Sequence, residues 1–138
     1  METLRTLPGD DVRQIMWRFA SRYDLQMLVQ SSRSVARGPV ARLVADGARN
    51  SHEWTQQKAQ LLQSFDESGI TAAFMDPEQG GFIEGPKNFA LALTAFELSW
   101  VDGGAATSSL AGNLALAPIH ERGTPEQRET YMRRAIPP

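Results

Sequence analysis

Residues 87–104, KNFALALTAFELSWVDGG, decide the fold. Wound as a helix, Phe89, Leu91, Ala92, Leu93, Ala95, Phe96, Leu98 and Trp100 leave almost no polar face, and such a helix needs cover on several sides. Glu97 is the exception, and an unpaired carboxylate in those surroundings is costly. It is expected to meet an ion-pair partner on a neighbouring helix or to reach an edge, with a catalytic base as the less favoured reading. Gly103 and Gly104 then mark a turn between two helices.

Helical signals continue on both sides. Upstream, Val12, Ile15, Met16 and Phe19 fall at helical spacing from Asp10 to about Tyr23, and Leu25, Leu28 and Val29 extend the pattern. QSSRSVARGPV, at 30–40, reads as a loop because of its serines and its Gly38-Pro39 pair. A short helix with Val40, Leu43 and Val44 is expected to run from Pro39 to Gly47. Ser51 is the expected cap of a helix that places Trp54, Lys58, Leu61, Leu62 and Phe65 on one face and closes at Gly69. GITAAFMDPEQGGFIEGP, at 69–86, reads as a connecting loop that turns Phe74 and Phe82 inward.

Downstream, GGAATSSLAGNLALAPIHERG is rich in small residues, which let another helix or a ligand approach closely, and Pro118 is expected to kink it or loosen its backbone bonding near Leu114. Gly123 reads as a left-handed helix stop. Thr124, Pro125 and Gln127 read as a cap, a first-turn proline and a returned hydrogen bond. Strand alternation of useful length and internal repeats are missing from the sequence. The expected architecture is all-α, a bundle of about five or six helices forming one domain over residues 1–138.

Composition narrows the function. Without cysteine there is neither a disulfide framework nor a cysteine-based zinc site. His52 and His120 are the two histidines, lie in different segments and make no metal face, so surface or helix-end roles are expected. The net charge of −2 gives no reason to expect nucleic acid. Its distribution is uneven, with eight arginines against five acids in 1–50 and six bases against eleven acids in 51–138. Solvated helix faces that attract one another are the reading. Neither a signal peptide nor a stretch of roughly 20 apolar residues is present, so no membrane insertion and a cytoplasmic protein are expected. TSSLAG lacks the glycine-flanked nucleophile elbow, and DGGAATSSLAG does not match G-x-G-x-x-G and has no strand before it.

The second half resembles the N-terminal helical domain of the acyl-CoA dehydrogenases. ESGITAAFMDPEQGG, from Glu67 to Gly81, is similar to that family's E-x-G-(I/L) helix exit and its proline-to-GG turn. LALTAFELSWVDGG matches the helix that carries a glutamate ahead of a short turn, here Glu97. Pro118 and GTPEQRETY match the late proline and the G-(T/S/N)-x-E-Q-(K/R)-x-x-Y start that follow. Gln79 stands where the family commonly has an aromatic residue, and residues 1–50 lie outside the resemblance as an N-terminal extension or further helices.

The resemblance implies the first domain of a longer flavoenzyme, with the sequence stopping at RRAIPP just short of a β-barrel-like middle domain. In that family FAD is held mainly by the middle and C-terminal domains, and the catalytic glutamate lies in the C-terminal helical domain. No residue of this chain is therefore assigned a catalytic, flavin-binding or metal-binding role, Glu97 included. The family's reaction is α,β-dehydrogenation of an acyl-CoA thioester. The small-residue helix implies one wall of the acyl pocket, with Ala106, Thr107, Leu110 and Leu114 at the lining positions and packing against another helix as the competing reading of each. The implied partners are the acyl-CoA and the other domains of the same enzyme. A free-standing helical interaction module, able to form a homo-oligomer, and a complementing half of a split flavoenzyme are the alternatives.

Overall fold

The computed structural model describes residues 19–47 and 52–136. It is helical throughout its regular elements, and no strand occurs among the described residues. Helix α1 (Tyr23–Val35) runs through a π-helical turn (Ala36–Val40) into α2 (Ala41–Ala45). Helix α3 (Gln56–Glu67) and the single turn α4 (Ile70–Ala73) follow, then a 3-10 turn at Pro77–Gln79. The remaining helices are α5 (Lys87–Ser99), α6 (Gly103–Leu110), α7 (Gly112–Arg122) and α8 (Pro125–Arg134).

The stretch 30–40 corrects the expected loop. Instead of ending at the Gly38-Pro39 pair, the helix widens by one residue per turn. A π-turn accommodates a proline because the ladder around it is already re-spaced, so the missing N–H does not break an ordinary i−4 bond. Ala36 and Val40, both fully buried, anchor that turn in the core and supply the reason to stay helical. The proposed cap Ser51 and the helix proposed from Asp10 lie outside the described residues except for 19–22, which form a turn. Thr55 caps α3 instead, its hydroxyl accepting from Lys58 N at 3.3 Å, and Trp54 lies before the helix, exposed. Gly69 closes α3 at φ +74, the left-handed region that glycine enters without a Cβ clash. The 69–86 connection contains α4 and the 3-10 turn, with Phe74 buried and Phe82 packed against the core.

Helix α5 sits between α1 and α6. Its buried residues Ala90, Thr94, Glu97 and Leu98 fall at i, i+4, i+7 and i+8, one stripe of a helix. Polar pairs order the packing of α1 on α5: Asp24 meets Glu84 just before α5, Ser32 meets Thr94, and Arg33 meets Glu97. The two helices therefore run in the same direction. Leu28, Phe65, Ile70 and Leu98, each at most 2% exposed, form the centre of the core. Burying one such side chain stabilises the fold by about 1.5–3 kcal/mol. The expected cover of α5 is incomplete in this chain: Phe89, Phe96 and Trp100 are each more than half exposed.

At the C-terminal joint the capping box forms as expected, with Gln127 N donating to the Thr124 hydroxyl and Thr124 N donating to Gln127 Oε1. Gly123 departs from expectation. Its φ is −68 and its ψ 153, extended rather than left-handed. Glycine is needed there for space, because a Cβ would strike the Ile119 carbonyl oxygen. Gly103 and Gly104 likewise are the first turn of α6, not a turn between helices, with Asp102 as the cap that accepts from Ala105 N at 2.8 Å.

Candidate functional site

Two regions border α5. The first is built by its C-terminal half together with α6 and the start of α7. Beneath it, Arg33 grips Glu97 with two hydrogen bonds, Nε to Oε2 at 2.9 Å and Nη2 to Oε1 at 2.7 Å. Arg37 adds a weaker contact at 3.8 Å, and its guanidinium lies 5.6 Å from the Trp100 ring centroid. Glu97 is 3% exposed, so this fork supplies the partner that the apolar helix demanded. The carboxylate is thereby occupied on both oxygens and turned inward, an arrangement suited to clamping α1 to α5.

The four residues assigned to the pocket wall are divided by the structure. Ala106 is 4% exposed and lies in the core, where its small side chain lets α6 approach its neighbours. Leu110 is half-buried against the same core. Thr107 and Leu114 are exposed, Leu114 at 81%, and with Leu110 they fall at i, i+3 and i+7 on one face. The Thr107 hydroxyl donates to the Gly103 carbonyl at 2.9 Å, which leaves its methyl as the distinctive feature of that surface. The helix is interrupted between Leu110 and Gly112 by a turn at Ala111, three residues ahead of the expected loosening at Leu114. Pro118 stays inside α7.

The second region is a cavity of about 410 Å³ between the start of α5, the Phe74–Met75 segment, α7 and α8. Lys87 Nζ donates to the carbonyls of Phe74 and Met75 at 2.6 and 2.8 Å and stands 3.7 Å from Asp76. His120, in the last turn of α7, places Nε2 at 3.1 Å from Asp76 Oδ1. Sequence reasoning missed this cluster. Lys87 is held by backbone carbonyls 12 and 13 residues away, and no side-chain pattern announces such partners.

A further ion pair fixes the entry to α1. Arg22 forks onto Asp24 at 2.9 and 2.7 Å, and Asp24 also accepts from Glu84 N at 2.9 Å. The Arg22 hydrogen bond is the main reason the Asp24 carboxyl is held down to about 2; the backbone bonds help, and burial opposes them.

Among the described residues no group of three or more His, Cys, Asp or Glu is placed to hold a metal, and no helix is long and apolar enough to cross a membrane. Comparison with curated proteins and with solved structures returns no match. A family model described as acyl-CoA dehydrogenase, N-terminal domain, does match, over residues 23–137. That span reaches well upstream of Glu67, taking in α1, the π-turn and α2 as well as every later helix. The chain belongs to the acyl-CoA dehydrogenase family, as its N-terminal domain.

Proposed function

We propose that this domain serves an FAD-dependent α,β-dehydrogenation of an acyl-CoA thioester by forming one apolar wall of the acyl pocket, with flavin and catalytic carboxylate supplied by other domains. The observation that carries the reading is the face shared by Thr107, Leu110 and Leu114, on which Thr107 and Leu114 are exposed and Leu110 is half-buried. It offers methyl and isobutyl groups and no ionisable group. Such a wall shapes an acyl chain by contact and by excluding water. Ala106 supports the face from below, since its lack of bulk sets how near α6 lies to the core. A flavin held by the other domains would supply the acceptor for the β-hydride, and their carboxylate the base for the α-proton. This chain's share is to hold the acyl chain in place, and Glu97 takes no part beyond locking α1 to α5.

The test is Leu114→Glu in the flavin-loaded enzyme that contains this domain. Losing about half the burial of one leucine is worth roughly a factor of ten in KM for acyl-CoA. The expected pattern is a raised KM with kcat little changed, because an acyl-chain contact is made equally in ground and transition states. Unchanged KM and kcat/KM would remove Leu114 from the pocket. An association state that changes with Leu114→Glu while kinetics do not would favour the interaction-module alternative.

A further inference from the structure

Helices α7 and α8 are attached to the domain differently from the rest. Helix α7 has no buried residue, and α8 has one, Met132 at 4% exposure. Among the described residues, the side-chain link from this hairpin to the part of the domain before α6 is His120 to Asp76 at 3.1 Å. The two sides of that link differ in rigidity. Asp76 follows Phe74 and Met75, whose carbonyls are pinned by Lys87, and its own carbonyl accepts from Gln79 N and Gly81 N. His120 stands at the end of a helix that has already lost regularity at two places. At Ala111 the ladder switches to a tighter bond, with Leu114 N donating to the Ala111 carbonyl. Four residues after Leu114, Pro118 has no N–H to return to the Leu114 carbonyl. Gly112 lies between these points, and a Cβ there would meet nothing within 4 Å.

The hairpin also forms one side of the 410 Å³ cavity through Asn113, Leu116, His120 and Met132, while Phe74 and Leu91 lie on the opposite side. We infer that α7–α8 is a hinged flap, pivoting at Ala111–Gly112 and latched by His120 on Asp76, whose opening exposes the apolar floor of this cavity. A segment with few buried contacts and one polar link opens at a fraction of the global unfolding free energy. The capping box and the close approach of Gly123 to Ile119 keep α7 and α8 together as one body while it moves. Thr107 and Leu110 lie on the fixed side of the pivot, while Leu114 rides on the flap, so the flap's position also sets where one residue of the proposed acyl wall stands.

The absence of cysteine allows a clean distance measurement. Glu84→Cys marks the fixed side, where Arg22 and Asp24 hold the backbone, and Arg128→Cys marks the exposed side of α8. With both spin-labelled, electron-electron distance spectroscopy should resolve a shorter, latched population and a longer, open one. Loss of one hydrogen bond in His120→Ala should raise the open-to-latched ratio roughly two- to tenfold, and His120→Gln should restore much of it. Gly112→Ala, which meets no steric obstacle and favours helix, should lower the ratio roughly two- to fivefold. A single narrow distance that neither His120→Ala nor Gly112→Ala changes, in variants with unaltered circular dichroism, would overturn the flap.

Discussion

Replacing Glu97 by glutamine keeps the volume and removes the charge that Arg33 and Arg37 face. Breaking a buried ion pair by neutralising one partner costs about 3–5 kcal/mol. Here the Arg33 side chain is 14% exposed and that of Glu97 4%, so water relieves part of the penalty and about 3 kcal/mol is expected. For a domain of this size, with a urea slope of about 2 kcal/mol per molar, the unfolding midpoint should fall by about 1.5 M. Arg33→Met should cost a similar amount, because it leaves Glu97 with Arg37 at 3.8 Å as its remaining cation in the fork. The double variant Arg33→Met/Glu97→Leu should be more stable than either single one, since no charge is then stranded and Arg37 can keep to the Trp100 ring. Urea titrations followed by far-UV circular dichroism measure all three. A Glu97→Gln midpoint shift below about 0.3 M, or a double variant whose loss equals the sum of the singles, would refute the clamp.

Asp24 gives a pH signature. Its carboxyl is lowered from an ordinary 3.8 to about 2, so its contribution is fully present above pH 4 and fades as pH falls toward 2. Asp24→Asn should cost about 1–2 kcal/mol at neutral pH, discounted because the Arg22 side chain is 36% exposed, and should flatten stability between pH 4 and 2; an unchanged acid limb contradicts this. Gly123→Ala should lower stability by about 1–3 kcal/mol through its clash with the Ile119 carbonyl, whereas a purely conformational role at φ −68 predicts almost no cost; thermal unfolding separates the two.

Local features were the legible ones. Thr124, Pro125 and Gln127 specify their cap through bonds that span three residues, and nothing distant is needed to complete it. The need of Glu97 for a partner was also readable, because it follows from apolar neighbours on the same helix. The identity of that partner was not, since Arg33 lies 64 residues away and becomes a neighbour only when α1 packs alongside α5. Tertiary burial likewise overrode the loop signals at Gly38-Pro39. Ala36 and Val40 gain more from entering the core than the backbone loses by widening into a π-turn. Gly123 shows the limit of residue-type rules, since glycine is required there by an oxygen from the preceding helix turn rather than by its own dihedral angles.

The wall residues divide along the same line. The small-residue stretch announced close approach but not what approaches: Ala106 meets the protein's own core, while Thr107 and Leu114 remain exposed on the face where Leu110 is half-buried. Phe96 and Trp100, exposed on α5, extend the apolar surface that other domains of the enzyme would cover.

The most direct test is whether this 138-residue chain holds flavin by itself. After incubation with excess FAD and gel filtration, the protein peak should carry no visible flavin absorbance. Flavin co-eluting in equimolar amount would contradict the assignment of this domain to the acyl wall and of the cofactor to the domains beyond it.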